Sequence, residues 1–204
     1  MQGRRLLPRI MATAGKGVIR MTDASSDSAR TAESRAGGRA GSWQLDPARS
    51  VIAIRHKSLW GLVTVKGTFT EVSGQGEVLA DGSARGSLTI GAASVDTGNA
   101  RRDAHLRSAA FLDADRDPSI AFTALRITPG ADGTAEVSGD LTARGLTRPL
   151  VFSARVTESA TGAVTLAAEV IIDRSRYGMT WNMLGMITGP AAVTVTACFS
   201  REQP

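Results

Sequence analysis

The chain has few side chains suited to catalysis or metal binding. Its 204 residues include two histidines, His56 and His105, and one cysteine, Cys198. A zinc-type site needs three or four nitrogen and sulfur ligands close together, and a disulfide needs a second cysteine. These counts argue against a metal centre and against a disulfide framework. We therefore expect no metal ion and no other cofactor.

The segment 101–105, RRDAH, is the strongest candidate for catalysis because a carboxylate lies two residues from an imidazole. On a helix, positions two apart face different sides, and no serine in a strained glycine-flanked turn accompanies them. We expect Asp103 and the arginines to hold a helix on the rim of the fold through ion pairs. Asp173 and Arg174 are interpreted in the same way, as a structural pair at a strand end. The sequence therefore predicts a protein that is not an enzyme.

His56 is the most informative single residue. It falls on the apolar face of a predicted strand, beside Ile52 and Ile54, where a buried polar ring needs a partner. One interpretation is a hydrogen bond to the polar head of an otherwise apolar ligand. The other is a structural histidine bonded to a neighbouring strand or a carboxylate. The sequence leaves both open.

The elements that must position these residues are strands. From Trp43 onward apolar and polar residues alternate with a period of two, which is typical of strands with one buried face. Connections are short and contain Gly and Asp, and a single helical stretch covers Asn99–Phe111. The pattern predicts eight or nine strands in an antiparallel barrel or sandwich with one short helix at an end. The predicted strands are Ser50–His56, Leu62–Thr70, Gln75–Ala80, Ala84–Ile90, Ser119–Ile127, Thr134–Thr142, Leu150–Val156, Val164–Ile172 and a last strand through residues 193–200.

Small residues on the inferred inner faces favour a barrel with room inside. Closing about eight strands leaves an interior just wide enough for side chains or for one slender ligand. Only 4% of the chain is aromatic, and small inner residues favour the ligand. The alternative is that larger neighbours fill the gaps. The small residues are Gly67, Ala124, Gly139, Ala154, Ala168 and Ala197.

The basic character of the chain is confined to its first fifth. The formal charge is +5, and residues 1–42 hold eight basic and three acidic side chains, whereas residues 43–204 hold sixteen of each. Residues 22–42 contain no Leu, Ile, Val or aromatic residue, so they cannot offset their ordering entropy. We expect residues 1–42 to be a disordered basic leader and residues 43–204 to be the folded domain. The leader is either an arm that contacts nucleic acid or an anionic membrane, or simply a solvated extension.

Targeting signals are weak. The start, MQGRRLLPRI, has positive charge but no apolar stretch behind it, and no apolar run reaches the ~20 residues of a membrane span. We expect a cytoplasmic protein without a transmembrane segment. Cys198 lies on the outward parity of the last strand and is expected to be a free thiol.

Four ordered segments resemble the YceI-like family of polyisoprenoid-binding, lipocalin-like barrel proteins. They are WQLDPARSVIAIRHKSLWGLVTVKGTF from Trp43, ASVDTGNARRDAHLRSAAFLDADRDPSIAFTA from Ala93, SGDLTARGLTRPL from Ser138 and IIDRSRYGM from Ile171. The resemblance covers about residues 43–199. It implies an eight-stranded antiparallel barrel with a helix at one end, a tubular apolar cavity for a long isoprenoid lipid, and no catalysis.

This resemblance directs the function prediction. We expect the protein to bind a polyprenyl alcohol, a polyprenyl phosphate or a quinone tail, for storage, transport or stress protection. The rivals are an enzyme acting on a lipid-like substrate and an interaction module that acts through the basic leader. A homodimer is possible, and no specific nucleic acid is expected. The residues expected to line the ligand site are Ile54, His56, Val65, Phe69, Leu106, Phe111, Phe122, Leu141, Phe152, Ile172, Met179 and Trp181.

The connection before the last strand is rich in Met and Gly. Met179, Trp181, Met183, Leu184 and Met186 form a soft apolar cluster, and Met side chains adapt to irregular ligands. One interpretation of residues 178–190 is a flexible lid over the cavity mouth. The other is an ordinary loop that covers the core.

Overall fold

The computed structural model describes residues 40–58, 62–181 and 189–202. Within them lie eleven strands and one α-helix. The strands are β1 (Gly41–Leu45), β2 (Val51–Ser58), β3 (Val63–Phe69), β4 (Val72–Val78), β5 (Ala84–Gly91), β6 (Val95–Asp96), β7 (Ser119–Pro129), β8 (Thr134–Ala143), β9 (Leu146–Glu158), β10 (Val164–Ile172) and β11 (Ala191–Arg201). The helix is α1 (Ala100–Arg107), and 3-10 turns cover Pro47–Arg49, Ala92–Ser94 and Arg174–Tyr177.

Eight strands close an antiparallel barrel in the order β1-β4-β5-β7-β8-β9-β10-β11, with β11 pairing back onto β1. Strand β11 pairs with two strands along the same edge. Its residues 199–201 pair with β1, and its residues 192–196 pair with β2. The 3-10 turn at Pro47–Arg49 therefore divides one position of the barrel between β1 and β2. From β2 the sheet continues through β3 to β6.

The two ends of the barrel are built differently. One end carries three short hairpins, β4–β5, β7–β8 and β9–β10, and is called the hairpin end below. The other, the helix end, carries α1, the tight β8–β9 turn and the 3-10 turn that follows β10. That tight turn consists of Arg144 and Gly145 with φ of 50° and 68°, the left-handed pair of a two-residue hairpin whose twist matches the flanking strands.

Side-chain caps define the bounds of α1. The Asn99 side chain accepts a hydrogen bond of 3.0 Å from the Arg102 backbone N–H, which satisfies one of the free donors of the first turn. The helix ends at Arg107, and the Ser108 N–H donates to the His105 carbonyl. The expected helix over Asn99–Phe111 is therefore too long at its carboxyl end. Residues 108–111 form turns, and Phe111 is buried.

The packed core lies mainly toward the helix end. Ile52, Phe69, Ile90 and Val95 form one buried cluster, against which Leu106 of α1 packs. A second cluster of Ala124, Val137 and Ala154 lies in the wall of β7, β8 and β9. Neither cluster fills the barrel axis.

The predicted mainly β architecture, an eight-stranded antiparallel barrel with one helix at an end, is confirmed. The strand list was incomplete, since β1 and the two-residue β6 were not predicted and β9 begins four residues earlier than expected. The leader prediction concerns residues 1–42, of which residues 1–39 lie outside the described residues. Among the helices that the structure describes, none has both the length and the apolar character needed to cross a bilayer.

Candidate functional site

A cavity of about 870 Å³ occupies the axis of the barrel. Nine residues of β10 at ~3.4 Å each, tilted by about 40°, correspond to a barrel roughly 23 Å tall. The lining extends from His56 and Trp181 at the helix end to Pro129 and Glu158 at the hairpin end. The cavity is therefore a tube rather than a pocket at one rim.

The structure places all twelve sequence-predicted site residues on the wall of this one cavity. Strands contribute Ile54, His56, Val65, Phe69, Phe122, Leu141, Phe152 and Ile172, α1 contributes Leu106, and the connections at the helix end contribute Phe111, Met179 and Trp181. That these residues contact a ligand remains a prediction.

Inward-pointing apolar side chains are only half-buried. Leu88, Phe122, Phe152 and Leu166 face the axis from four strands, yet none reaches the burial of a core residue. In a close-packed interior such side chains are covered by their neighbours across the core. Here Phe122 and Phe152 contact each other at 5.5 Å between ring centroids, and the cavity in front of these side chains leaves apolar surface available inside the tube.

The small inner residues divide into two groups. Ala124, Ala154, Ala168 and Ala197 line the cavity, as expected. Gly67 and Gly139 do not, so their assignment as room-making residues was wrong. A Cβ at Gly139 would lie 2.1 Å from the Thr123 carbonyl oxygen, and one at Gly67 would lie 2.7 Å from the Thr97 methyl. These two glycines permit close approach of neighbouring segments.

Both ring nitrogens of His56 are buried, and neither makes a hydrogen bond to the residues that the structure describes, which counts against the interpretation as a bonded structural histidine. Burial lowers the pKa of His56, and the positive charge of Arg174 lowers it further. The Pro190 carbonyl opposes both effects without reaching hydrogen-bond geometry. At neutral pH the ring is therefore uncharged, with one donor and one acceptor.

Three aromatic rings close the helix end. His105 packs edge-on against Trp181 at 4.4 Å and against Phe111 at 5.1 Å between ring centroids. Its Nε2 is buried and has no partner in the part of the chain that the structure describes. The guanidinium carbon of Arg174 lies 6.0 Å from the Phe111 ring centre, within the range of a cation–π contact.

The polar lining at the helix end was not predicted as a site. Arg102, His105, Arg174 and Tyr177 all line the cavity beside His56. Arg174 Nη1 donates to the Met179 carbonyl at 2.8 Å and to the Trp181 carbonyl at 2.9 Å, which ties these two residues to the preceding 3-10 turn. The sequence offered no signal for this grouping, because these residues come from separate segments.

The segment 101–105 fixes the helix through hydrogen bonds rather than through the expected ion pairs. Buried Asp103 accepts from the Thr97 backbone N–H at 3.0 Å and from the Thr97 hydroxyl. Arg102 donates to the Thr97 carbonyl at 2.9 Å, and Arg107 donates to the Val95 carbonyl at 2.8 Å. Asp103 thus points to the segment before α1, whereas His105 packs among aromatic rings. The two do not form an acid–base pair.

One further expectation needs correction. Asp173 was expected to act as an ion-pair partner, but it caps the following 3-10 turn by accepting from the Ser175 N–H at 3.0 Å and the Ser175 hydroxyl at 2.6 Å. Cys198 is a free thiol, as expected. Although its parity points away from the cavity it is only 2% exposed, because the corner at Ser50 covers it and the Ser50 hydroxyl accepts from its N–H. Of the expected lid, Met183, Leu184 and Met186 lie outside the described residues.

Comparison with known proteins agrees with this geometry. The model of the YceI-like domain matches residues 43–199. A UPF0312 protein of Ectopseudomonas mendocina is 42% identical over 69 residues, which is 34% of this chain and 36% of that protein. Protein YceI of Shigella flexneri is 40% identical over 70 residues, again 34% of this chain and 36% of the relative. The chain thus spans about a third of the length of these curated relatives.

Solved structures share the fold at low sequence identity. Burkholderia cenocepacia BcnA superposes with a TM-score of 0.69 at 20% identity, over 76% of this chain and 98% of that one. A polyisoprenoid binding domain from Saccharophagus degradans superposes with a TM-score of 0.66 at 17% identity, over 78% and 98%. At these identities the likeness concerns the fold.

Proposed function

Because this chain belongs to the YceI-like family, we propose that it binds one long-chain isoprenoid lipid in the barrel without chemically changing it. The observation that carries the proposal is the continuous tube whose inward apolar side chains are only half-buried. A slender apolar chain laid along the axis would cover them. Each CH₂ group removed from water contributes about 0.8 kcal/mol, so a chain of many carbons is held without strong polar contacts.

The polar lining suggests how the ligand is oriented. His56 presents two buried ring nitrogens and His105 one, all without a hydrogen-bond partner among the described residues, and Arg174 adds a positive charge at the same end. A buried polar group that lacks a partner is costly, and a ligand head that donates and accepts hydrogen bonds would remove that cost. We propose that the head lies at the helix end and that the tail extends toward the hairpin end. A polyprenyl alcohol, a polyprenyl phosphate and a quinone all fit this polarity.

One comparison supports an isoprenoid over other lipids, because a structural neighbour is a polyisoprenoid binding domain. The cavity also extends from the helix end to the hairpin end, as a long chain requires. Storage, transport and protection of the lipid under stress all use the same binding step. Absence of catalysis is part of the proposal, and it is supported by the separation of His105 from Asp103.

Native mass spectrometry of the purified protein, combined with organic extraction, tests the proposal. We expect a stoichiometric mass increment that is lost on extraction and a recovered lipid built of isoprene units. Recovery of only straight-chain fatty acids would refute the isoprenoid assignment. A barrel that binds no added polyprenol, polyprenyl phosphate or long-chain quinone would refute the proposal.

The orientation of the head is tested separately with His56→Phe. This variant keeps the apolar wall but removes both ring nitrogens, so we expect weaker binding of a polyprenol and little change for a hydrocarbon without a head. Thr64→Phe on the exposed outer face of β3 introduces the same side chain outside the cavity and serves as the control. Unchanged polyprenol affinity in a folded His56→Phe protein would contradict the proposed position of the head.

A further inference from the structure

Charge is distributed unevenly over the barrel, although residues 43–204 are formally neutral. The segments that build the helix end, residues 55–71, 92–118, 140–149 and 169–178, hold eleven basic and nine acidic side chains. The remainder of the domain holds five basic and seven acidic side chains. The helix end is therefore positive and the hairpin end negative.

The positive charge is most concentrated on the β2–β3 hairpin. Residues 47–70 contain four basic residues and no Asp or Glu. Arg55 and Lys66 lie directly opposite each other in the register, and Lys57 follows on the same outer face. Like charges in directly opposed positions are destabilising in a sheet. One of them, Arg55, is compensated by Glu169 at 3.3 Å, whereas Lys57 and Lys66 extend the positive face.

Apolar side chains stand at the end of the same hairpin. Leu62 is 85% exposed and Val63 is 42% exposed, the former being the most exposed large apolar residue of the described chain. Exposed Leu beside Lys and Arg is the composition of surfaces that rest in the headgroup region of a bilayer, with the apolar groups immersed and the cations against phosphates. Surfaces that bind single-stranded nucleic acid combine cations with stacking aromatic side chains, and no aromatic side chain lies beside Arg55, Lys57 and Lys66 on the outer face of the described hairpin.

We propose that the outer face and end of the β2–β3 hairpin, formed by Arg55, Lys57, Leu62, Val63 and Lys66, dock the protein on an anionic lipid bilayer. The negative hairpin end is repelled by the same surface, so docking is oriented even though the domain has no net charge. Docking brings the helix end, where His56 and Arg174 line the cavity, to the membrane. The surface is defined by charge and exposure alone, so its test is independent of what the cavity holds.

The test is co-sedimentation of the full chain with vesicles of 70% phosphatidylcholine and 30% phosphatidylglycerol, or of phosphatidylcholine alone. A Lys or Arg near an anionic surface contributes about fivefold to partitioning, so Lys57→Gln/Lys66→Gln is expected to weaken binding roughly 30-fold. Arg126→Gln/Arg155→Gln removes the same charge at the hairpin end and is expected to leave binding within about twofold. Leu62→Ser is expected to weaken binding roughly tenfold.

The outcomes decide the proposal because the leader is present in every variant. Binding to the anionic vesicles that is lost with the two lysines and kept in the arginine control supports it, provided that all variants retain the wild-type melting temperature. Equal loss in both double variants would show that only net charge matters and would overturn it. So would wild-type binding to phosphatidylcholine alone with equal strength, no binding to either vesicle, or tighter binding to a single-stranded oligonucleotide than to the anionic vesicles.

Discussion

Ala168→Leu separates an empty tube from a filled core, because the two predict opposite changes in stability. Ala168 lies in the middle of β10, opposite Val195 of β11, and its side chain points into the cavity. It is only half-buried, so the space in front of it is open. Leucine adds three carbons there, which would bury apolar surface against the inner wall without displacing protein atoms.

The magnitudes follow from the number of carbons. Complete burial of three carbons is worth about 2.4 kcal/mol, and partial burial in a tube that stays open on one side gives about 1 kcal/mol of added stability. For a chain of this size 1 kcal/mol raises the melting temperature by about 2–4 °C. The same three carbons exclude a similar number of ligand carbons, so lipid affinity is expected to fall by about 2.4 kcal/mol, or roughly 50-fold.

The assays are denaturant unfolding of the delipidated protein and competition binding with a polyprenol. Ala167→Leu is the matched control, since the neighbouring residue faces outward and does not line the cavity. It should change neither quantity appreciably. A loss of about 1–3 kcal/mol in Ala168→Leu would indicate overpacking of a filled interior and would refute the tube. A stabilised variant with unchanged affinity would show that the lipid binds elsewhere.

Three further predictions address single residues. Gly139→Ala is expected to destabilise the barrel by several kcal/mol because its Cβ would lie 2.1 Å from a backbone oxygen. Gly76→Ala is the control and should be tolerated, since the nearest atom to its Cβ would be 3.5 Å away. Chemical denaturation of the two variants compares their free energies of unfolding. Asp103→Ala removes the acceptor of two hydrogen bonds from Thr97 and should cost about 2–4 kcal/mol of unfolding free energy, with no loss expected if the carboxylate were merely solvated. The pKa of His56 is lowered from 6.5 in the folded protein, so the unfolded chain binds the proton first as the pH falls. The free energy of unfolding should therefore decrease below about pH 6.5. A pH series of melting temperatures tests this, and the same slope in His56→Phe as in the wild type would contradict the assignment to His56.

The alternation of side chains along the strands predicts much of this fold. Since successive residues of a strand point to opposite faces, parity alone placed eight strand residues on one wall, and the predicted bounds of Val164–Ile172 coincide with those of β10. Strand β1 was not predicted, because only Trp43 and Leu45 of its five residues point inward. A pattern of two apolar residues is too short to establish a period.

Periodicity says nothing about why an inner residue is small. Gly139 and Ala168 occupy equivalent inward parities, yet the first lets two strands approach closely and the second leaves open space. The distinction depends on the path of the neighbouring strand, which bulges between Ala124 and Arg126 opposite Gly139. Such a bulge is set by pairing across the sheet and is not encoded in the spacing of either strand alone.

The polar groups show the same limit for a different reason. Asp103 was expected to pair with arginines because these are its neighbours along the chain, but its partner is Thr97, which the turn before α1 folds back onto the helix. His56 was left with two interpretations because the sequence shows which face a ring occupies and not which atoms surround it. The absence of a hydrogen-bond partner in the described structure counts against the bonded structural histidine, and a contact with a ligand head stays a prediction.

The distribution of charge over the domain becomes visible only in the folded structure. The basic excess of the whole chain lies in residues 1–42, and composition alone presents residues 43–204 as electrically featureless. In the folded barrel, however, the β2–β3 hairpin, which has no Asp or Glu, lies at the same end as the β8–β9 turn with Arg144. Asp81, Asp132 and Glu158 lie at the other end. A molecule with equal numbers of both charges then carries an excess of two positive charges at one end and of two negative charges over the rest, and an anionic surface exerts a torque on it at distances of about a Debye length, roughly 8 Å at physiological ionic strength. A domain without net charge can thus be oriented at a membrane, provided that the side chains of one charge sign are concentrated at one end of the barrel.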